Sequence, residues 1–395
     1  MRRLLLLAVV LLLNACTDTD IPGDQEKNNV LLELRPYAPS FLEIAPIQTR
    51  AFPVDYGYYP YGDSRVNGQF EPQRNLLDAK ARIHMLFYKD TDGSLEEDAF
   101  FKSGDSWRSR VEMESNAYYL YGFIPDMGTV NNITFPYDND FRKGIRFTIN
   151  KMESITPSDV CVTVAAGRGD DTKPDDDFAI GKFRFQVNAA AEKNYVYLLF
   201  DHIYASLCFS FKVDAEYNKL RTIRIKKLRL SNMSLKRYYD ATVTLTANSN
   251  NPLTVSFVGN GTEMADGDNV GVLFEANENV DPVVEPVTLT TSASKFIGCF
   301  VPGLSDTSSF TLETTYDVYD KNTTTAHPEG NLVRKNCVAT NSINVKGIIP
   351  WSSTWEKGVM VMINLKVDPT YLYMLSEPDL DNPTVTLVPP TGSGS

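Results

Sequence analysis

Apolar and polar residues alternate with a period of two in many short segments of the chain. Because successive side chains of a strand point to opposite faces, such alternation predicts strands with one buried face. Clusters of glycine, asparagine, aspartate and proline separate these segments and predict the turns between them. No stretch of a dozen residues has a clear helical period. The clearest alternating segments are residues 145–149, 183–187, 207–213, 242–246 and 359–365.

Many short strands joined by regular turns predict an all-β fold built from antiparallel β-sandwich domains. The polar stretch at residues 188–194 is the best candidate for a domain boundary. We therefore expect an N-terminal β-sandwich over residues 51–192 and a C-terminal β-sandwich over residues 193–395. Each segment is long enough to bury a core of its own.

The first residues predict export from the cell. Arg2 and Arg3 precede an unbroken apolar run that ends at Leu13, as in a signal peptide, and the run is too short to span a bilayer. Leu13-Asn14-Ala15-Cys16 resembles a bacterial lipobox. Residues 1–15 are thus predicted to be a lipoprotein signal peptide, and Cys16 is predicted to carry the lipid (palmitate among its acyl chains) that anchors the protein in the outer membrane. The alternative is an ordinary secreted protein.

Composition excludes several classes of function. The chain has 395 residues with 38 basic and 50 acidic side chains, and its net charge of −12 argues against a nucleic-acid partner. It has three histidines and no G-x-S-x-G, H-E-x-x-H, P-loop or dinucleotide-binding motif, so we expect no enzyme, no cofactor and no metal site. No C-x-x-C pair is present, and two disulfides or four thiols remain open for Cys161, Cys208, Cys299 and Cys337.

Three other segments have two interpretations each. The strand at residues 223–230 has a basic face, which either binds an acidic partner or glycan or is simply exposed to solvent. Its doubled lysine interrupts the alternation and predicts a β-bulge. Four tyrosines within residues 56–61 suit an interface or pack against a sheet. The acidic loop at residues 168–177 contains Arg-Gly-Asp and clustered carboxylates, but its spacing does not match a calcium-binding loop, and a solvated loop is the default.

Five short segments, in this order, resemble the fimbrillin (type V pilin) family of Gram-negative anaerobes, which includes fimbrillin-like lipoproteins. They are Gln48-Thr49-Arg50-Ala51-Phe52, the strand at residues 83–88, the aromatic strand at residues 118–125, the segment that opens with Phe200-Asp201-His202, and the last strands, which include Phe300-Val301-Pro302 and residues 355–365. The likeness runs along most of the chain, although each motif is short.

The resemblance implies two tandem transthyretin-like β-sandwich domains. It also implies that an Arg-specific protease cleaves between Arg50 and Ala51 and removes residues 16–50, a linker and pre-strand segment. Residues 30–34 and 41–44 of that segment have strand-like patterns. Their loss is expected to open an apolar groove in the first sandwich, which a strand from a neighbouring subunit then fills. Val385 and Leu387 are in the candidate donor strand, for which a plain edge strand is the alternative.

These observations predict a non-enzymatic fimbrial or fimbrillin-like subunit at the cell surface. It is expected to assemble with other fimbrial subunits by β-strand exchange after proteolysis and to serve adhesion. The alternative is an uncleaved, lipid-anchored outer-membrane protein that binds glycans or host proteins.

Overall fold

The computed structural model is built almost entirely from β-strands. Among the residues it describes, no helix is long and apolar enough to cross a membrane. The predicted all-β fold class is confirmed, whereas the tandem transthyretin-like topology stays a prediction. The structure describes residues 31–39, 42–44, 58–60, 82–103, 106–108, 113–124, 133–134, 140–153, 155, 159–231, 236–263, 271–277, 283–291, 295–302, 309–344, 357–367 and 385–387.

The strands follow the predicted alternation, and each of the five clearest alternating segments coincides with or overlaps a strand. The short helix α1 (Ala215–Leu220) follows the strand that ends at Val213, and Asp214 caps it by accepting a hydrogen bond from the Glu216 amide. The strands are β1 (Leu31–Pro39), β2 (Leu42–Ile44), β3 (Tyr58–Pro60), β4 (Arg82–Lys89), β5 (Leu95–Ser103), β6 (Ser106–Arg108), β7 (Ala117–Ile124), β8 (Ile133–Thr134), β9 (Gly144–Glu153), β10 (Cys161–Gly169), β11 (Arg184–Gln186), β12 (Lys193–His202), β13 (Ala205–Val213), β14 (Arg221–Ser231), β15 (Lys236–Thr246), β16 (Leu253–Glu263), β17 (Val272–Glu275), β18 (Val287–Thr288), β19 (Lys295–Val301), β20 (Ser309–Asp320), β21 (Leu332–Asn344), β22 (Val359–Val367) and β23 (Val385–Leu387).

These strands form four sheets. Sheet I has the order β3-β1-β12-β10-β7-β4-β5-β6, with β11 also on β7, and sheet II has the order β16-β15-β9-β8. Sheet III has the order β19-β13-β22-β2, with β23 also on β22, and sheet IV has the order β17-β14-β20-β21, with β18 on β14. Most strand pairs are antiparallel, but β1 with β12, β2 with β22, and β13 with β22 are parallel.

The first pair of layers consists of sheets I and II. Their facing side chains form one apolar cluster that includes Tyr121 and Val162 from sheet I and Phe147 and Val243 from sheet II. The opposite face of sheet I, called the outer face below, is also apolar and buried. β6 at one end of the sheet order lies against β1 near the other end and helps to cover this face.

Sheets III and IV form the second pair of layers, and sheet III also contacts the first pair. Leu207 and Phe209 of β13 point into the core shared with sheet IV. Between them in sequence, Cys208 points the opposite way and joins the core of the first pair, as do Phe300 and Met360. Since successive side chains of a strand alternate between faces, sheet III is buried on both faces here.

The connection between the two pairs of layers is very short. β12 of sheet I ends at His202, and β13 of sheet III begins at Ala205. The two residues between them, Ile203 and Tyr204, are buried. The hairpin β15–β16 lies later in the chain but pairs with β9 in sheet II, so strand pairing crosses the predicted boundary at residues 192–193. That boundary stays a prediction.

Asp90 links the two layers of the first pair. Its carboxylate accepts hydrogen bonds from Arg142 Nε, in the turn before β9, at 2.9 Å, and from Arg184 Nε, on β11, at 3.2 Å. Partial burial acts to raise the pKa of Asp90, but the hydrogen bonds from the two arginines outweigh it and lower the pKa below its ordinary value. A carboxylate with a lowered pKa stabilises the fold above its unfolded pKa, and this contribution is lost as the pH falls through the folded pKa.

Asp90→Asn is therefore expected to be less sensitive to acid than the wild type. Its free energy of unfolding should fall less between about pH 5 and pH 3, as measured by denaturant titration. Asp176→Asn, at an almost fully exposed carboxylate, is the matched control and should behave as the wild type. An acid dependence in Asp90→Asn equal to that of the wild type would contradict the linkage.

Candidate functional site

The N-terminal strand β1 lies inside sheet I, with a strand on each side. It pairs in parallel with β12 from Leu31 to Tyr37, and its last three residues pair antiparallel with β3. Both neighbours come after Arg50 in the sequence. Removal of the segment before Arg50 would therefore withdraw a strand from between two strands that stay in the chain.

The side chains of β1 are part of the apolar core. Leu32, Leu34 and Ala38 are 3%, 0% and 0% exposed, and they belong to the cluster on the outer face of sheet I. Burial of one leucine side chain contributes about 1.5–3 kcal/mol. β1 is therefore part of the apolar core of sheet I.

Polar contacts also hold β1 to β12. Glu33, though largely buried, forms ion pairs with Lys193 at 3.3 Å and with Arg35 at 2.7 Å. The Tyr37 ring stacks on Tyr197, with ring centroids 5.9 Å apart. A partner strand that replaces β1 must therefore supply apolar side chains for the buried face and polar side chains for the opposite face.

The second predicted pre-strand, β2, lies in a different sheet from the one expected. Sequence reasoning placed both strands in the first sandwich, but β2 pairs in parallel with residues 359–361 of β22 in sheet III. β13 pairs with residues 360–367 of β22 along one edge. β2 must therefore lie on the opposite edge of β22. Periodicity identifies a strand but does not choose the sheet that it joins.

The candidate donor strand β23 lies on β22 of its own chain. It pairs antiparallel with residues 365–367 of β22, whereas β2 pairs with residues 359–361 at the opposite end of β22. Because β13 occupies one full edge of β22, β2 and β23 share the second edge. The segment that precedes Arg50 and the C-terminal strand are thus neighbours on one sheet edge, and a donor role for Val385 and Leu387 stays a prediction.

Three predicted site residues, Cys16, Arg50 and Ala51, lie outside the described residues. Lipidation at Cys16 and cleavage between Arg50 and Ala51 therefore stay predictions. Of the tyrosine-rich stretch, the structure describes only Tyr58–Pro60, which is β3 and pairs with β1.

The basic strand is β14, in the interior of sheet IV. The register against β20 shifts between Ile225 and Lys227, so the predicted bulge at the doubled lysine is confirmed. β14 has β20 on one side and β17 and β18 on the other, so its charges do not protect a sheet edge. They form ion pairs within the chain: Lys226 with Asp317 at 3.4 Å, Lys227 with Glu275 at 3.1 Å and Arg224 with Glu285 at 3.4 Å. This pairing favours a structural role for the strand.

The acidic loop after β10 also makes its own contacts. Asp170 Oδ1 accepts hydrogen bonds from the Thr172 hydroxyl at 2.6 Å and from the backbone amides of Thr172 and Lys173. These hydrogen bonds, chiefly those from Thr172, lower the pKa of Asp170. The loop is an Asx-type turn that needs no cation to keep its shape.

A buried polar cluster, which sequence reasoning missed, lies where β10 begins and β12 ends. Cys161 and His202 are directly opposite each other in the antiparallel pair of β10 and β12. Asp159 comes two residues before Cys161 and lies beside both. His202 Nδ1 is 2.7 Å from Asp159 Oδ2, and Cys161 Sγ is 3.2 Å from Asp159 Oδ2 and 3.4 Å from His202 Nδ1.

The cluster is closed to solvent, since Asp159, Cys161 and His202 are 1%, 0% and 0% exposed. Burial, and then the charge of Asp159, raise the pKa of the Cys161 thiol well above its ordinary value. A neutral thiol that no substrate can reach is not the nucleophile of an enzyme. The other described cysteines, Cys208, Cys299 and Cys337, are also buried thiols, so the predicted alternative of two disulfides is wrong.

Comparisons with known proteins give distant matches among solved structures. No protein-family model matches the chain, and no curated protein is significantly similar to it. Among solved structures, a candidate cell adhesion protein from Bacteroides fragilis is 12% identical with a TM-score of 0.40, and the match covers 92% of this chain and 99% of that one. A candidate cell adhesion protein from Bacteroides uniformis is 11% identical with a TM-score of 0.39, covering 87% and 95%.

A third solved structure, the fimbrial anchor protein of Porphyromonas gingivalis, is 10% identical with a TM-score of 0.28, and the match covers 91% of this chain and 95% of that one. The chain is thus similar, at low sequence identity, to solved structures of fimbrial and cell adhesion proteins of Bacteroides and Porphyromonas.

Proposed function

We propose that this chain is a non-enzymatic fimbrial or fimbrillin-like subunit of the cell surface, which joins other fimbrial subunits by β-strand exchange and serves adhesion. The observation that carries the proposal is the position of the segment before Arg50. Its first strand, β1, lies between two strands of sheet I, and its second strand, β2, lies on β22 of sheet III.

Cleavage after Arg50 would open both sheets at once. Sheet I would lose the side chains of Leu32, Leu34 and Ala38 from its core, and β12 would expose backbone groups that now pair with β1. Such a site takes an extended strand with apolar side chains at alternate positions. No chemistry beyond the cleavage itself is needed, which agrees with the absence of a catalytic motif in the sequence.

Treatment of the purified pro-form with an Arg-specific protease is expected to yield polymers or heteromers, and Arg50→Ala is expected to prevent them. Size-exclusion chromatography and negative-stain electron microscopy would measure assembly. Arg35→Ala is the matched control, because Arg35 lies in β1, before Pro36, and is not the predicted cleavage point. Assembly of Arg50→Ala to the same extent as the wild type would contradict the proposal.

The same proposal assigns the donor strand to β23, which must leave β22 of its own chain to reach a neighbour. Val385 and Leu387 are the apolar positions of this alternating segment, and Thr386 is the polar position between them. Val385→Asp with Leu387→Asp is expected to abolish polymers of protease-treated protein, whereas Thr386→Asp should retain them. Normal polymers of the double variant would exclude β23 as the donor.

Export as a lipoprotein is the remaining part of the proposal. Mass spectrometry of the cell-surface form would distinguish an acylated Cys16 terminus, which supports the lipid-anchored alternative, from Ala51 as the first residue, which supports assembly. The ion pairs of β14 within its own sheet do not favour that strand as a glycan-binding surface.

A further inference from the structure

We propose that Asp159, Cys161 and His202 form a binding site for one Zn²⁺ ion at the connection between the two pairs of layers. Each residue offers one ligand atom, and the three ligand atoms lie within 4.8 Å of one another. Thiolate sulfur, imidazole nitrogen and carboxylate oxygen are the three ligand types that zinc accepts in proteins, and the Cys161 thiol releases its proton to solvent as the ion binds. This proposal is independent of strand exchange.

The strand register explains how the three ligands meet. Antiparallel partners in neighbouring strands have Cβ atoms about 4.5–5.5 Å apart, which brings Cys161 and His202 together. Asp159 precedes Cys161 by two positions, and its Oδ2 lies 3.2 Å from the Cys161 sulfur. Cys161 and His202 come from one strand pair in the interior of sheet I, and Asp159 lies two positions before the first of these strands.

The distances within the cluster are close to those that zinc requires. Tetrahedral coordination with ordinary zinc–ligand bonds separates ligand atoms by about 3.3–3.6 Å. The three measured separations are 2.7, 3.2 and 3.4 Å. Side-chain movements of less than about 1 Å would therefore admit the ion.

A second, independent observation is the unsatisfied oxygen of the carboxylate. Asp159 Oδ1 is buried and has no hydrogen-bond partner among the described residues. An unpaired carboxylate oxygen is costly to bury, and native proteins rarely leave one without a partner. Bidentate binding of the ion by Asp159 would compensate this oxygen and would bring the ligand atoms to the four that a tetrahedral structural zinc needs.

The location gives the ion a structural role. His202 is the last residue of β12, and sheet III contacts the same turn, since Lys357 Nζ lies 2.6 Å from Asp201 Oδ2 and the Gly358 amide donates to the Tyr204 carbonyl. Zinc would fasten the end of β12 to the start of β10, at the point where the chain passes into sheet III. The full burial of the ligands excludes a water-activating, catalytic zinc.

The test uses the full-length purified protein, stripped of metal with a chelator and then titrated with Co²⁺ and with Zn²⁺, both in the folded state and during refolding. We expect one equivalent of Co²⁺ to bind and to produce a near-ultraviolet sulfur-to-cobalt charge-transfer band, which Zn²⁺ abolishes. Zn²⁺ at a hundredfold excess over its Kd should raise Tm by about 2–6 °C, and Mg²⁺ should not.

Cys161→Ser and His202→Asn are expected to remove the charge-transfer band and to weaken Co²⁺ binding by more than about 100-fold. Cys299→Ser makes the same change at an equally buried cysteine in the core of sheets III and IV and should keep the band. The proposal fails if wild-type protein shows no band and no zinc-dependent rise in Tm, a result that needs no variant to fold. It also fails if Cys161→Ser binds Co²⁺ as the wild type does.

Discussion

Leu34→Ala is expected to lower the free energy of unfolding of the intact chain by about 2–5 kcal/mol. Leu34 is 0% exposed and lies in the apolar cluster on the outer face of sheet I. The substitution removes buried methyl groups and leaves a cavity where the surrounding strands cannot close up. Denaturant titration would measure the loss.

The control for this prediction is Leu332→Ala, the same substitution at a leucine that is 48% exposed in β21. It should change stability by less than about 1 kcal/mol, because little apolar surface returns to water. Under the strand-exchange proposal, Leu34→Ala should also release β1 sooner after cleavage and speed assembly. Equal losses of stability in the two variants would show that β1 does not belong to the core.

Gly144→Ala is expected to destabilise the fold by more than about 3 kcal/mol. Gly144 opens β9 with φ +132°, a conformation that residues with a Cβ rarely adopt, and an added Cβ would lie 1.9 Å from the Leu245 carbonyl oxygen. That oxygen belongs to β15, which pairs with β9 in sheet II. The clash is with backbone, so relief requires the two strands to separate.

Gly358→Ala separates the effect of backbone strain from that of the clash. Gly358 also has a positive φ, +71°, but an added Cβ would meet only His202 Cδ2, at 3.9 Å. The expected cost is about 1 kcal/mol, from the left-handed conformation alone. Thermal or denaturant unfolding of both variants would test the difference, and similar losses would mean that the approach of Gly144 to Leu245 is not close.

The positions of the strands could be predicted from the sequence, because they depend on the local alternation of apolar and polar residues. Residues 207–213 and 359–365 alternate strictly, and they lie in β13 and β22. The bulge in β14 could also be predicted, because the doubled lysine breaks the period of two. Which strands pair is a different matter: β13 and β22 are parallel neighbours although most of the second half of the chain separates them. Nothing in the alternation of either strand specifies that partner.

The same limit applies to the polar cluster. Asp159 and Cys161 are two residues apart, but His202 is distant in sequence, and the three meet only through the register of β10 against β12. A search for C-x-x-C or H-E-x-x-H motifs finds ligands that are close along one segment, so it could not detect this site. An Asp-x-Cys at a strand start and a histidine at the end of another strand were the available signals, and both are weak.

The two-residue connection at Ile203 and Tyr204 has a mechanical consequence. Both side chains are buried, and Cys208, Phe300 and Met360 extend the same contact between the layers. Across this connection, then, a pulling or bending force meets packed side chains. In a filament built from such subunits, compliance would reside in the joints from one molecule to the next, and each molecule would move as a stiff segment.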